Sequence, residues 1–547
     1  MKDFEDSVAL LGQWGRFQQV VFFLLGASIV PNGFGAFSLV FLNDAPAHRC
    51  LVPQVNLTQG WLDSIIPIEV VDGRRRPSRC SRLRLDVVRN LSAAGLRPGV
   101  GVNLSDLPRE ACVDGWSYSA DVYRSTIVSQ FDLVCRDQWK QPFTSTVYFL
   151  GVLVGSFFSG LLSDRFGRKP VFFATMAIQT LFMFVQIFSN SWVVFVVLLF
   201  ISGLGQISNY ISAFVLGNEI LSGQVRVLFS SLGVCLGFAV GYMMLPLFAY
   251  FLRDWRSLLL ATSLPGLLYI PLWWLIPESP RWLLSQGRVR EAEAILRKAA
   301  EMNNVEAPRV IFEDVDVTTL HPKDRADVFN LLSTKPIRNI TAILCLVWFT
   351  LSTGYFGLSL NTSHLHADPY VSCFLSAVVE VPAYTLSWLA LRFLPRRQSV
   401  VCILLVGGAS LYLIQLVPEG VSQLAVALEM LGKCAITAGT ALMFAYTAEL
   451  YPTALRNTAT GTCTAVSRVG SAISPFVLQL RVYFRYLPYI VMGTLAVASA
   501  FAALFLPESF GRPLPQTIQQ MHHRGSIRSV FVRKQRSKPA VLFESRL

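Results

Sequence analysis

The chain is expected to fold as an all-α membrane protein, with twelve transmembrane helices in two six-helix halves. Three observations carry that expectation. Of 547 residues, 53% are apolar and 15% charged, and the mean hydropathy is +0.48, whereas soluble domains carry about 25% charged residues. Twelve apolar runs follow one another, each near the ~20 residues that cross a ~30 Å hydrocarbon core. Several loop positions also recur at a single offset of 230 residues.

Residues 1–19 are acidic and amphipathic, and the apolar run 20–42 that follows has no small-residue cleavage site. It is therefore a retained first span and not a signal peptide. Residues 43–141 form a long polar loop holding four of the ten cysteines, Cys50, Cys80, Cys112 and Cys135. An even number in a hydrophilic loop predicts two disulfides in an oxidising compartment, with three pairings open. Glycosylation sequons at Asn56, Asn90 and Asn103 agree with an external loop, while Asn339 fits the pattern at the opposite face. Spans 2 to 6 are expected at 142–162, 170–189, 192–217, 227–250 and 257–276. The 277–338 segment reads as a short cytoplasmic bundle: Arg288 to Met302 is rich in Ala, Glu, Arg and Lys, with apolar Ala292, Ile295, Leu296 and Ala299 at helical spacing. Spans 7 to 12 are expected at 339–360, 370–391, 399–417, 421–447, 458–480 and 486–506, and a tail occupies 507–547.

Basic residues set the orientation. Arg165, Arg168 and Lys169, then Arg392, Arg396 and Arg397, the 277–338 segment and the tail with Arg533, Lys534, Arg536 and Lys538 share one face. The alternate short loops hold few beyond Arg253, Arg256, Arg481 and Arg485. Both termini are thus expected in the cytoplasm, at the plasma membrane. The net charge of +13 is dispersed among these loops and forms no stripe for nucleic acid. All six histidines lie outside the apolar runs, which leaves no basis for an embedded histidine metal centre or an enzyme site. No cofactor is expected beyond sodium as a coupling ion.

The repeat is specific. Glu219 and Arg226 recur as Glu449 and Arg456, and Pro277-Glu278-Ser279 recurs as Pro507-Glu508-Ser509. Between spans 2 and 3, Ser163-Asp164-Arg165-Phe166-Gly167-Arg168-Lys169 resembles the signature of the major facilitator superfamily, whose two halves rock about a mid-membrane substrate. That resemblance implies cytoplasmic gating by Asp164, Arg165, Arg168, Glu219, Arg226, Glu278 and Arg281, with Glu449, Arg456 and Glu508 in the second half. The expected pairs latch the outward-facing state.

The long cysteine-bearing loop, Pro277 to Trp282, Ala448 to Thr453 and Pro507 to Ser509 resemble the organic-ion transporter family. Gly205 to Tyr210, Leu245 to Tyr250 and Gly354 to Leu360 resemble its organic cation/carnitine transporter subgroup, over about residues 1–520. The resemblance implies sodium-coupled uptake of carnitine or a related betaine such as ergothioneine, by a chain for which a monomer suffices. The alternative is sodium-independent, polyspecific organic cation or ergothioneine transport.

Arg468 lies mid-span in helix 11, where a charge costs about 2.5 kcal/mol or more and marks a substrate path. A guanidinium there can clamp a carboxylate bidentately and repels a simple cation. A trimethylammonium group is held by aromatic faces; Trp348 and Tyr355, seven apart on span 7, are the leading candidates, with Tyr210, Phe444 and Tyr446. Sodium needs oxygen ligands, and the embedded amides are Asn32, Gln179, Gln206 and Asn209, the last also expected beside the substrate. Embedded Glu429 and Lys433, four apart, are expected to neutralise each other, and Glu380 is read as structural.

Two departures stand out. Gly217 to Gln224 lacks the Gly-Lys-Ser ending of a phosphate loop, so no nucleotide site is expected. Phe238, counted among the substrate-lining residues, stands where carnitine transporters of the subgroup tend to have tyrosine. The terminal Ser545-Arg546-Leu547 reads as a PDZ ligand, with a peroxisomal address as the alternative.

Overall fold

The structure is a computed structural model describing residues 4–53, 56–312, 328–365, 368–512, 514–515 and 519–520, with no side chains described at 453 and 454. The tail tripeptide Ser545-Arg546-Leu547 and the basic cluster Arg533 to Lys538 lie outside the described residues.

Helices occupy all twelve apolar runs. Span 1 comes in three pieces, Arg16–Ser28, Val30–Phe37 and Leu39–Leu42, because Pro31 starts a new helix. Spans 2 to 4 are Lys140–Phe166, Arg168–Gln186 and Trp192–Ile220. Span 5 runs from Gly223–Leu228 through a π-helical turn, Phe229–Gly233, into Val234–Phe251, and span 6 is Trp255–Leu267 with a 3-10 turn at Ile270–Trp274. In the second half, span 7 is Lys335–Leu360, span 8 is Pro369–Val378 with Glu380–Phe393, and span 9 is Arg396–Leu413. Spans 10 to 12 are Ser422–Leu450, Thr453–Gln479 and Leu487–Ala503. Among the described residues, nine of the twelve are long and apolar enough on their own to cross a bilayer. The other three are span 3, span 11, which carries Arg468 among many Thr and Ser, and the 17-residue span 12.

The loop between spans 1 and 2 is a small domain of three two-stranded antiparallel ribbons, including Ile68–Val71 paired with Arg74–Pro77. The hairpin turn is Asp72-Gly73, both at positive φ, as a two-residue turn requires. Trp61, Ile65, Leu83 and Val88 form its core, and of the three open pairings the structure has Cys50–Cys112 and Cys80–Cys135. The opposite face carries the chain's N-terminal helix, Phe4–Val8, and Val289–Met302, whose Ala292, Leu296, Ala299 and Ala300 are buried against it in one apolar cluster. We call these the loop side and the terminal side.

The two halves meet on the loop side. Span 2 packs on span 11 and span 5 on span 8, and one buried cluster there includes Phe37, Phe149 and Tyr242 with Tyr370, Cys373 and Ala472. Thr146 donates to the Ala472 carbonyl at 2.8 Å and Tyr242 to Ser376 at 3.0 Å. On the terminal side the first-half and second-half clusters are separate. The molecule is thus closed on the loop side.

Candidate functional site

The break in span 1 puts the backbone and side chain of Asn32 against span 4, where Gln206 and Asn209, three apart, share a helix face. Gln206 donates to the Asn32 carbonyl at 2.6 Å, Asn32 donates to Asn209 Oδ1 at 3.4 Å, and Asn209 donates to the Phe172 carbonyl at 3.2 Å. Tyr148 of span 2 donates to Gln206 Oε1 at 2.5 Å. Two side-chain oxygens, Asn32 Oδ1 and Gln179 Oε1, are buried and accept no hydrogen bond among the described residues. Buried carbonyl oxygens are nearly always satisfied, so a pair with free lone pairs suits a small hard cation.

Arg468 lies within electrostatic range of Tyr148 and Tyr210, and its Nε is buried without an acceptor among the described residues. Tyr148, hydrogen-bonded to the amide cluster of the first half, thus lies within electrostatic range of Arg468 of the second. A carboxylate can satisfy that Nε, and a cation at the amides would stabilise the carboxylate. Tyr148 was missed by sequence reasoning, since a lone tyrosine on an apolar face carries no signal.

The aromatic candidates divide. Tyr355 reaches the first half, edge-on to Phe37 at 5.9 Å, while Phe238 packs on the same Phe37 ring at 5.8 Å. Trp348 is buried beside Phe444, edge-on at 4.6 Å, and donates to Thr447 Oγ1 at 3.0 Å; Phe444 itself is exposed. Tyr446 is not brought to this group. It is fully buried in the second-half core, and its hydroxyl donates to the Pro507 carbonyl at 2.5 Å, because its helix turns that face away from the first half.

Lys433 also departs from expectation. Its ammonium lies 3.6 Å from Glu380 and 3.2 Å from Ser376, and it contacts Ser359. The Tyr355, Tyr242 and Phe37 rings surround it at 4.5, 5.1 and 5.7 Å, and Tyr355 donates to Glu380. Glu429, the partner expected from sequence, instead accepts from Asn361 at 3.2 Å and Tyr489 at 2.8 Å. Four-residue spacing permits a pair, but span 8 supplies a better-placed carboxylate.

On the terminal side the repeat becomes geometry. Arg168 pairs with Glu219 at 2.9 Å and Asp164 at 2.7 Å. Glu278 accepts from the backbone of Arg168 and Lys169 at the start of span 3, and Ser279 donates to Glu219. Burial raises the Glu278 carboxyl, against the backbone donors of Ser279, Lys169 and Arg168, which lower it. In the second half Arg396 pairs with Glu449 at 3.2 Å, Glu508 accepts from the backbone of Arg396 and Arg397, and Ser509 donates to Glu449 at 2.6 Å. Arg396 had been read only as a topology determinant; its place 228 residues after Arg168, close to the 230 offset, was the available signal. Each cluster lies within one half, so these pairs brace helix ends and do not themselves join the halves. Arg226 binds Glu5 at 2.7 Å and the Leu221 carbonyl, Arg456 binds the Ala448 carbonyl, Arg281 lies over the Phe4 ring, and Arg165 lies beside Phe166. Asn56, Asn90 and Asn103 are all exposed on the loop domain.

Comparison with known proteins agrees with this architecture. The sugar (and other) transporter family matches residues 117–521. Organic cation/carnitine transporter 2 of Rattus norvegicus is 54% identical, covering 95% of this chain and 94% of the relative. Solute carrier family 22 member 4 of Mus musculus is 53% identical, covering 95% of each. Among solved structures, the proton:xylose symporter XylE bound to 6-bromo-6-deoxy-D-glucose superposes with a TM-score of 0.55 at 15% identity, over 91% of this chain and 98% of that one. The partially occluded inward open conformation of the xylose transporter XylE from E. coli gives 0.56, also at 15% identity, over 91% and 100%. With two repeated halves, paired charge clusters at corresponding helix ends and relatives similar along nearly the whole length, the chain belongs to the sugar (and other) transporter family of the major facilitator superfamily, in its organic cation/carnitine transporter subgroup, and is a membrane transporter of small solutes and not an enzyme.

Proposed function

We propose that the chain imports carnitine or a related betaine together with sodium by alternating access across the plasma membrane, with both termini cytoplasmic. The observation that carries this reading is that Arg468 Nε and two amide oxygens, Asn32 Oδ1 and Gln179 Oε1, are buried without a partner among the described residues. A carboxylate and a small cation complete those groups together, which makes binding of each favour the other. The names of the similar relatives support carnitine and organic cations as the substrate class. With the terminal side in the cytoplasm, closure on the loop side corresponds to an inward-facing state. The loop domain is then external and glycosylated at Asn56, Asn90 and Asn103, the transporter works as a monomer, and the tail docks a PDZ domain.

The test is initial uptake of labelled L-carnitine with external sodium present and with sodium replaced by a large inert cation. Saturable uptake that collapses without sodium, and that is lost in Arg468→Gln at equal surface level, is the expected outcome. Undiminished uptake by Arg468→Gln sinks the carboxylate clamp. Phe238, which lacks the hydroxyl of a tyrosine, favours one other reading: sodium-independent uptake of ergothioneine or tetraethylammonium with no carnitine uptake.

A further inference from the structure

A recess of about 890 Å³ opens on the loop side, away from the amide cluster, between the ends of spans 1, 2, 7 and 11. The hairpin Ile68–Val71/Arg74–Pro77 roofs it. Arg74, Arg75, Arg76 and Arg79 line it from this hairpin and the residues that follow, and Arg481 and Arg485 from beyond span 11, against four acids, Asp44, Glu69, Asp72 and Glu419. Two of those acids are already engaged. Glu419 contacts Arg74, and Glu69 lies 4.0 Å from Arg109, which is outside the recess. Asp72 sits on the exposed turn of the hairpin. Arg75, Arg76 and Arg79 have no ion-pair partner among the described residues. Burial, and in smaller measure the neighbouring Arg76, lower the Arg79 guanidinium.

We infer that this recess is a capture site for the carboxylate of an incoming zwitterion, with Arg75, Arg76 and Arg79 as its anion-attracting groups and the hairpin as its roof. The inference rests on the zwitterion reading above. With six arginines against four acids, two of them already engaged, the recess carries an excess of positive charge, and such an excess in a cleft concentrates anionic groups and speeds their arrival. A betaine presents a carboxylate to these guanidinium groups, whereas a simple cation has nothing to offer them and is repelled. Selection against simple cations thus begins at the mouth, before Arg468 is reached. The Arg74–Glu419 contact ties the roof to the second half in the closed state, so the site becomes freely accessible when the loop side opens.

The experiment compares initial rates of L-carnitine and tetraethylammonium uptake for the parent chain, for Arg76→Gln/Arg79→Gln and for Arg75→Gln. Surface level is measured by cell-surface biotinylation. The expected result is a KM for carnitine raised about 3- to 10-fold with kcat per surface molecule unchanged, a salt dependence of that KM flattened in both variants, and a KM for tetraethylammonium unchanged or lowered. Equal effects on both substrates, or an effect on kcat alone, overturn the inference, because a structural role or a regulatory chloride would act that way. Replacing external chloride by gluconate separates the latter, since a chloride site shifts both substrates together. Variants identical to a carnitine-transporting parent overturn the inference alone, and a parent that moves tetraethylammonium but no zwitterion overturns the function reading with it.

Discussion

Lys433 and Glu380 are both fully buried and 3.6 Å apart. Removing one member of such a pair leaves an uncompensated charge in a low-dielectric interior, which costs about 3–5 kcal/mol, whereas replacing both is far milder. Lys433→Met is therefore expected to lower thermal stability in detergent and surface level sharply, and Lys433→Met/Glu380→Gln to recover most of the loss. A double variant no better than the single one would show that the pair is not what matters. Asp44, beyond the end of span 1, gives a pH dependence. Burial raises its carboxyl from 3.8 to about 6, opposed in smaller measure by Tyr123, the Ala45 backbone, Ser363 and Arg481. Between pH 3.8 and about 6 the folded chain holds a proton that the unfolded chain has released, so Asp44 withdraws stability as pH rises through that window. The melting temperature of Asp44→Asn is expected to gain on that of the parent from about pH 4 to 6 and then run parallel to it. A constant difference across the range would contradict this assignment.

At the scale of elements, spans 1 and 5 touch backbone to backbone. A Cβ on Gly241 would lie 2.0 Å from the Val30 carbonyl oxygen, and one on Gly33 2.5 Å from that of Phe238. Neither neighbour is a flexible side-chain tip, so Gly241→Val must push span 5 off the break that presents Asn32. Loss of folded protein at the surface is expected, or, in any fraction that folds, loss of sodium dependence; normal sodium-dependent uptake would show that the contact yields. The terminal-side clusters predict an equivalence. Arg168→Gln and Arg396→Gln each strip a guanidinium from a carboxylate that a serine also caps. Both are expected to reduce uptake by comparable factors at equal surface level, and a defect confined to Arg168→Gln would mean that the repeat is structural in one half only.

For the whole molecule, closure on the loop side predicts that Thr146→Cys/Ala472→Cys, placed where Thr146 reaches the Ala472 carbonyl, will crosslink. Oxidation should then abolish uptake and reductant restore it; uptake that continues through the crosslink would mean the halves need not part there. The spans, the two halves and the charge clusters were legible in the sequence, because hydropathy and a fixed offset are one-dimensional signals. The partners inside the membrane were not. Lys433 choosing Glu380 over Glu429, Tyr446 turning to Pro507 and Tyr148 bridging to Gln206 all depend on which helix face meets which neighbour, and apolar surroundings on every side erase the periodicity that would tell. The loop domain has a mechanical consequence. Both its covalent ends run into first-half spans, and Cys80–Cys135 staples it near the start of span 2, whereas its links to the second half are non-covalent, among them Arg74 to Glu419 and Tyr370 to the Val122 carbonyl. It therefore travels with the first half like the arm of a lever, amplifying a small rotation at the membrane centre, and a dye on exposed Val70 at the end of that arm would turn each transport cycle into a change in distance visible one molecule at a time.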